Sequence, residues 1–115
     1  MTPQERFVLA CVRKCRARLG LKKMPLVQFG TLGRDYQACT WKKTNQLAFD
    51  TGFVETVSDY DICTVVLHEC CHLKSKIHGH GKTFRKICMR YGADAEPYGS
   101  AWARDYEWVH LIRID

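Results

Sequence analysis

The stretch from Ser58 to His72 constrains the fold more than any other part of the chain. Ser58 and Asp61 form a helix-capping pattern, with a hydroxyl residue three positions before an acidic one. The following run, Ile62–Leu67, is apolar on nearly all sides, as expected of a helix packed in a core. It leads into the motif H-E-x-x-H at residues 68–72. The sequence therefore predicts a buried helix that presents polar, chemically active side chains.

Further helices and a sheet are predicted on both sides of this helix. Thr2, followed by Pro3, predicts the start of an N-terminal helix that ends at Gly20, and a helix after the motif should end at Gly92. Three apolar stretches separated by turn residues predict a small antiparallel sheet: Leu26–Phe29, Tyr36–Trp41 and Gln46–Phe49. We therefore expect an α+β fold of zincin-like type, with an N-terminal helix, the sheet, the motif helix and a following packed helix.

Length and composition restrict the domain count and the compartment. With 115 residues, of which 46% are hydrophobic, the chain can close one core, so residues 1–115 are expected to form a single domain. No apolar run is long enough to span a bilayer. Seven cysteines, an odd number without a C-x-x-C pair, favour reduced thiols. We expect a soluble, cytoplasmic monomer that does not contact membranes.

The spacing of the motif points to a metal centre. Residues four apart on a helix share one face, so His68 and His72 can both reach a Zn²⁺ at about 2.0–2.1 Å. Glu69 follows the first ligand directly and can act as the base that takes a proton from water, while zinc activates that water and polarises a peptide carbonyl. The pattern predicts a zinc-dependent metallopeptidase with one zinc per chain.

A catalytic zinc commonly has a third protein ligand, for which the sequence offers several candidates. His78 and His80 both lie in a glycine-containing loop that can turn a side chain back over the site. Glu96 is a weaker candidate, because it precedes a proline in a loop-like segment.

The motif, followed by Gly79-His80-Gly81-x-x-Phe84, resembles the SprT-like, Spartan-related metalloproteases and is similar to the YgjP and WLM groups. The resemblance covers about residues 25 to 91. It implies zinc ligands His68, His72 and His80, the base Glu69, and cleavage of DNA-associated proteins. No cysteine follows Cys88, so we expect a minimal domain without the C-terminal zinc ribbon that often accompanies this family.

The position of Phe84 also favours His80 over His78. Phe84 shares a helix face with Ile87 and Cys88, so it should fix the start of its helix to the core. His80 stands four residues before it, at the end of the loop that is held near the metal. His78 lies deeper in the loop and is expected to be an outer group or exposed.

The charge distribution suggests a nucleic-acid partner. The net charge is +6, and residues 1–43 carry ten Lys/Arg against two acids, while residues 74–90 carry six bases and no acid. These zones serve either solubility or contact with a polyanion such as DNA. We predict DNA contacts at Lys42 and Lys43, which would place the protein at a nucleoid or nucleus.

Other functions remain open from the sequence. A repressor-cleaving protease of the ImmA/IrrE kind would share the motif, and a YbeY-like ribonuclease would not need Glu69. A zinc-stabilised binding module would have a fourth protein ligand that closes the site. For the peptidase, we expect an extended substrate beside Gln46–Phe49, and the oxyanion could be stabilised by Tyr91, Tyr98 or His110.

Overall fold

The fold is known from a computed structural model that describes residues 1–32, 37–75 and 79–95. These described residues form four helices and three strands, in the order α1 (Pro3–Leu19), β1 (Leu26–Gly30), β2 (Ala38–Trp41), β3 (Gln46–Asp50), α2 (Thr51–Thr56), α3 (Asp59–Lys74) and α4 (Lys82–Tyr91). This order of elements confirms the predicted α+β class. Within the described residues, no helix has the length and hydropathy needed to cross a membrane.

The helix ends lie where the sequence predicts them, because short-range hydrogen bonds determine them. The Thr2 hydroxyl accepts from the Glu5 amide at 3.1 Å, and the Glu5 carboxylate accepts from the Thr2 amide at 2.8 Å. Ser58 caps α3 by accepting from the Asp61 amide at 3.2 Å. Helix α4 ends at Gly92, whose φ of 74° is in the left-handed region that favours glycine.

The sheet is mixed, whereas the sequence analysis predicted an antiparallel one. Its strand order is β1-β3-β2, with β3 antiparallel to β2 but parallel to β1. The hairpin of β2 and β3 turns at residues 42–45, where Asn45 has a φ of 54°. Strand β1 pairs with the other side of β3, so β3 lies in the middle. Leu47, Ala48 and Phe49 are all buried, as befits a central strand.

The central place of β3 also corrects the predicted substrate position. Both sides of Gln46–Phe49 are already hydrogen-bonded to neighbouring strands, so no further strand can pair there. The outer strands of the described sheet are β1 and β2.

Helix α3 packs between α1 and the sheet and carries much of the core. Eight of its residues are buried: Ile62, Val65, Val66, His68, Glu69, Cys70, Cys71 and His72. The expectation of burial on nearly all sides is wrong at Cys63, which is exposed. The N-terminal half of α3 therefore has one face at the surface.

Helix α2 is an element that the sequence analysis missed. Asp50, the last residue of β3, caps it by accepting from the Phe53 amide at 3.0 Å. The other carboxylate oxygen of Asp50 accepts from the Leu32 amide, also at 3.0 Å. Asp50 therefore connects the end of the central strand both to α2 and to the segment after β1. Because α2 directly precedes α3, these bonds help to position the start of α3.

Candidate metal centre

Three histidine side chains converge on one point in the core. The Nε2 atoms of His68 and His72 are 3.2 Å apart, those of His72 and His80 are 3.1 Å apart, and those of His80 and His68 are 3.2 Å apart. All three residues are at least 96% buried, with exposed fractions of 0%, 1% and 4%. Two come from adjacent turns of α3, and the third comes from the short segment before α4.

This triangle of nitrogens fits a metal ion. Nitrogen ligands about 2.0–2.1 Å from a tetrahedral Zn²⁺ are about 3.3–3.4 Å from one another, close to the separations found here. Three imidazole nitrogens at such distances cannot all be joined by good hydrogen bonds, because each neutral ring has only one N–H. A cation at their meeting point satisfies all three lone pairs. Among the described residues, these histidines form the one cluster of three or more such groups.

The protonation of His68 suits a role as ligand. Its Nδ1 lies 3.0 Å from the backbone carbonyl oxygen of Asp94. A carbonyl oxygen can only accept, so Nδ1 carries the proton and, in the neutral ring, Nε2 presents its lone pair to the cluster. A hydrogen bond of this kind commonly orients histidines that bind metals.

The segment that carries His80 is held by a side chain of α4. Arg85 Nε donates to the backbone carbonyl of His80 at 3.1 Å. Gly79, directly before His80, has a φ of 89°, a conformation that favours glycine. The local backbone and Arg85 together direct His80 toward the two histidines of α3.

The ring of Phe84 forms the apolar floor of the cluster. It is 1% exposed and lies against all three imidazoles. It stacks on His72, with centroids 4.1 Å apart and planes 14° from parallel, and meets His68 and His80 edge-on at 5.1 Å. The sequence prediction that Phe84 fixes the start of α4 to the core near His80 agrees with this placement.

Glu69 is fully buried and hydrogen-bonded across the core to the sheet. The Thr40 hydroxyl of β2 donates to Glu69 Oε1 at 2.5 Å, and Thr40 is itself 0% exposed. A short bond to a carboxylate in a dry environment holds that side chain in one orientation. The edge strand β2 is thus joined directly to the helix that carries His68 and His72.

The other candidate residues are not part of this cluster as described. His78, Glu96, Tyr98 and His110 lie outside the described residues. Tyr91 is half-buried on α4. Lys42 and Lys43 lie together in the turn between β2 and β3. Burial lowers the pKa of Lys42, while Lys43 is exposed.

Three residues at the site were not found by sequence reasoning: Thr40, Arg85 and Asp94. Thr40 is 29 positions from Glu69, and neither strand periodicity nor the motif indicates the contact. Asp94 contributes its backbone carbonyl, which any residue type would offer. Arg85 is one of four cations on α4, so nothing in the sequence marks it as the residue that contacts His80.

Comparison with known protein families agrees with the fold and the histidine cluster. The profile of the SprT-like family matches residues 6–102, so the chain belongs to the SprT-like family. This confirms the resemblance found in the motif. A search of curated proteins gave no match.

Two solved structures share the fold. The metallopeptidase zymogen jannalysin of Methanocaldococcus jannaschii is similar with a TM-score of 0.66 and 20% identity, over 91% of this chain and 87% of that chain. The metallopeptidase zymogen abylysin of Pyrococcus abyssi gives a TM-score of 0.62 and 18% identity, over 89% of this chain and 90% of that chain. The likeness extends over nearly the whole chain and confirms the zincin-like α+β fold.

Proposed function

We propose that this protein is a zinc-dependent metallopeptidase. The observation that carries the proposal is the meeting of three histidine Nε2 atoms within 3.1–3.2 Å of one another. His68, His72 and His80 are the proposed ligands, and one zinc is expected per chain. Membership of the SprT-like family and the likeness to two metallopeptidase zymogens support the same function.

Glu69 is the proposed general base. When bound, zinc supplies Lewis-acid chemistry, lowering the pKa of a water and polarising a peptide carbonyl. Glu69 would take the proton of that water and deliver it to the departing amine. The Thr40 hydroxyl donates to Glu69 Oε1 and so would hold the carboxylate in one orientation for this proton transfer.

An extended protein segment is the proposed substrate, and its scissile peptide bond would lie beside Glu69 and the histidine cluster. The Thr40 hydroxyl of β2 would hold the Glu69 carboxylate in place there. Strand β2 does not offer an open edge for pairing with this segment, because Ala38, Cys39 and Thr40 are at most 1% exposed.

A closed, structural zinc site is the main rival to an open, catalytic one. A closed site needs a fourth protein ligand, and no described His, Cys, Asp or Glu joins the three histidines. The buried carboxylate of Glu69 would serve as the general base of an enzyme, whereas a structural zinc site needs no such base. These observations favour the peptidase over a zinc-stabilised binding module.

The identity of the substrate is a finer part of the proposal. Cleavage of DNA-associated proteins agrees with the family and with the paired cations Lys42 and Lys43 at the hairpin turn. An ImmA/IrrE-like protease with one repressor as its target would use the same residues for chemistry. Cleavage of several unrelated DNA-bound proteins by the purified chain would favour DNA-associated proteins as the substrate class over a single repressor.

The proposal is tested by comparing the wild type with Glu69→Gln, using casein as an unstructured substrate. The amide keeps the shape of the side chain but removes the base, so zinc content and folding should persist while cleavage falls by at least about 100-fold. Glu55→Gln, an exposed change on α2, is the matched control and should cleave normally. Equal cleavage by Glu69→Gln and the wild type would reject the proposed role and favour a binding module.

A further inference from the structure

A second group of reactive side chains lies away from the histidine cluster, between α1 and α3. A cavity of about 190 Å³ opens there to solvent, and none of the three histidines lines it. Its walls are formed by three cysteines, two cations and one leucine: Cys11, Cys15, Cys63, Lys14, Arg18 and Leu67. Thiols and cations around one open cavity are a combination that the peptidase chemistry does not use.

Two of these thiols already touch. Cys11 Sγ on α1 and Cys63 Sγ on α3 are 3.3 Å apart, although 52 positions separate them in the chain. A disulfide requires about 2.05 Å between the sulfurs, so a small rotation of the side chains would bring them to bonding distance. The two residues differ in access, because Cys63 is exposed and Cys11 is only 9% exposed.

We propose that Cys11 and Cys63 form a redox-active dithiol that is oxidised to a disulfide by a small, acidic disulfide compound entering this cavity. Oxidised glutathione represents this chemical class. Lys14 and Arg18 at the cavity wall would attract its carboxylates. The exposed sulfur of Cys63 is the one that such a compound meets first.

The reaction is a pair of thiol–disulfide exchanges. Cys63 thiolate attacks one sulfur of the oxidant, forms a mixed disulfide and releases one thiolate of the reagent. Cys11 then loses its proton to solvent and attacks Cys63 Sγ, and the second reagent thiolate leaves. Two protein thiols are oxidised, one reagent disulfide is reduced to two thiols, and no other oxidant is required.

The environment of Cys11 fits the role of second attacker. Burial, followed by its contact with Cys63, raises the pKa of the Cys11 thiol to about 12, so it stays protonated while both thiols are free. Capping of Cys63 in the mixed disulfide removes that contact, and with it one cause of the raised pKa. Cys11 would therefore become a better nucleophile only after the first step.

The resulting bond would tie α1 to the helix that carries His68 and His72. Closing a loop of this length restricts the unfolded chain, so the melting temperature of the oxidised protein should rise by about 10 °C. Since the histidines do not line the cavity, zinc content should be unchanged.

The test uses the full chain, equilibrated with mixtures of reduced and oxidised glutathione, alkylated, and digested for mass spectrometry. The wild type should give a Cys11–Cys63 cross-link that dithiothreitol reverses, with fragmentation separating Cys63 from Cys70 and Cys71. Cys63→Ser, a change at an exposed position, should lose both the cross-link and the rise in melting temperature. Cys15→Ser is the matched control, because Cys15 lines the same cavity, and it should keep both.

Three results would overturn the proposal. In the first, both thiols remain reduced under oxidising conditions and are alkylated. In the second, oxidation stops at a mixed disulfide between Cys63 and glutathione. In the third, the Cys11–Cys63 cross-link is lost in Cys15→Ser, which would assign the reaction to Cys15. Each of these outcomes is independent of peptidase activity, so the proposed function and this inference stand or fall separately.

Discussion

The phenyl ring of Phe84 lies flat on the imidazole of His72, with ring centroids 4.1 Å apart. The same ring meets those of His68 and His80 in T-shaped contacts, so one apolar side chain touches all three proposed ligands. The geometry of the cluster therefore depends on packing from α4 as well as on the spacing within α3.

Phe84→Leu should weaken zinc binding without removing any ligand. Leucine keeps the site apolar but leaves part of the ring volume empty, so we expect a loss of about 1–3 kcal/mol in the free energy of unfolding. Looser imidazoles should also lower zinc affinity by about tenfold. Chemical denaturation and competition with a fluorescent zinc chelator would measure the two effects.

Phe29→Leu provides the control for this prediction. Phe29 is half-buried on β1, and its ring centroid lies 6.3 Å from that of Phe49, in a separate aromatic pair. This variant should lose stability but retain wild-type zinc affinity. Equal affinity in both variants would show that Phe84 is only a core residue.

Thr40→Val should reduce peptidase activity while leaving zinc content unchanged. Valine has nearly the same shape as threonine but cannot donate to the Glu69 carboxylate, and a hydrogen bond to a charged group contributes about 1.5–3 kcal/mol. We expect kcat to fall by about 10- to 100-fold in a casein assay performed where both proteins are folded. Thr40→Ser, which restores the hydroxyl, should recover much of the activity.

Thr44→Val is the matched control for Thr40. Its hydroxyl donates to Gln46 Oε1 at 2.7 Å in the exposed hairpin turn, away from Glu69. Cleavage by this variant should equal that of the wild type. If Thr40→Val also cleaved normally, the contact with Glu69 would have no part in catalysis.

Charge reversal in the hairpin turn should weaken DNA binding. Replacing Lys42 and Lys43 by glutamate removes two cations, so the affinity for a DNA duplex should fall and its dependence on salt should become shallower by about two counterions. Fluorescence anisotropy across a salt series would measure both. Lys43→Glu alone is the cleaner variant, because Lys43 is exposed and Lys42 is half-buried.

The exposed pair Lys22 and Lys23 offers a control with the same change of charge. If the double reversal at these positions weakens binding as much as that at Lys42 and Lys43, the attraction is a general property of a basic protein. No binding at low salt would leave the positive charge as a contribution to solubility.

The features that the sequence predicts well are those decided by nearby residues. Thr2 with Glu5, Ser58 with Asp61 and the glycine at position 92 mark helix ends through contacts within a few positions. The spacing of the motif likewise predicts that His68 and His72 share a helix face, as the structure has them.

The features that the sequence does not predict depend on distant segments. Strand β1 pairs in parallel with β3 because of the position at which the β2–β3 hairpin packs against it. The pattern of apolar residues in each strand does not predict that position. Helix α2 is only six residues long, too short for a clear periodic pattern. The contact between Thr40 and Glu69 joins two elements whose meeting appears only once the sheet and α3 are packed.

The most direct test of the metal centre is elemental analysis of zinc in purified wild type, His80→Ala and His78→Ala, followed by zinc titration. We expect about one zinc per wild-type chain, because the described residues supply a single cluster of three histidines. His80→Ala should lose affinity by orders of magnitude, while His78→Ala should lose at most the 10- to 100-fold typical of an outer group. A wild-type protein never exposed to chelator that contains no transition metal, or a His80→Ala protein that keeps its zinc, would contradict the account.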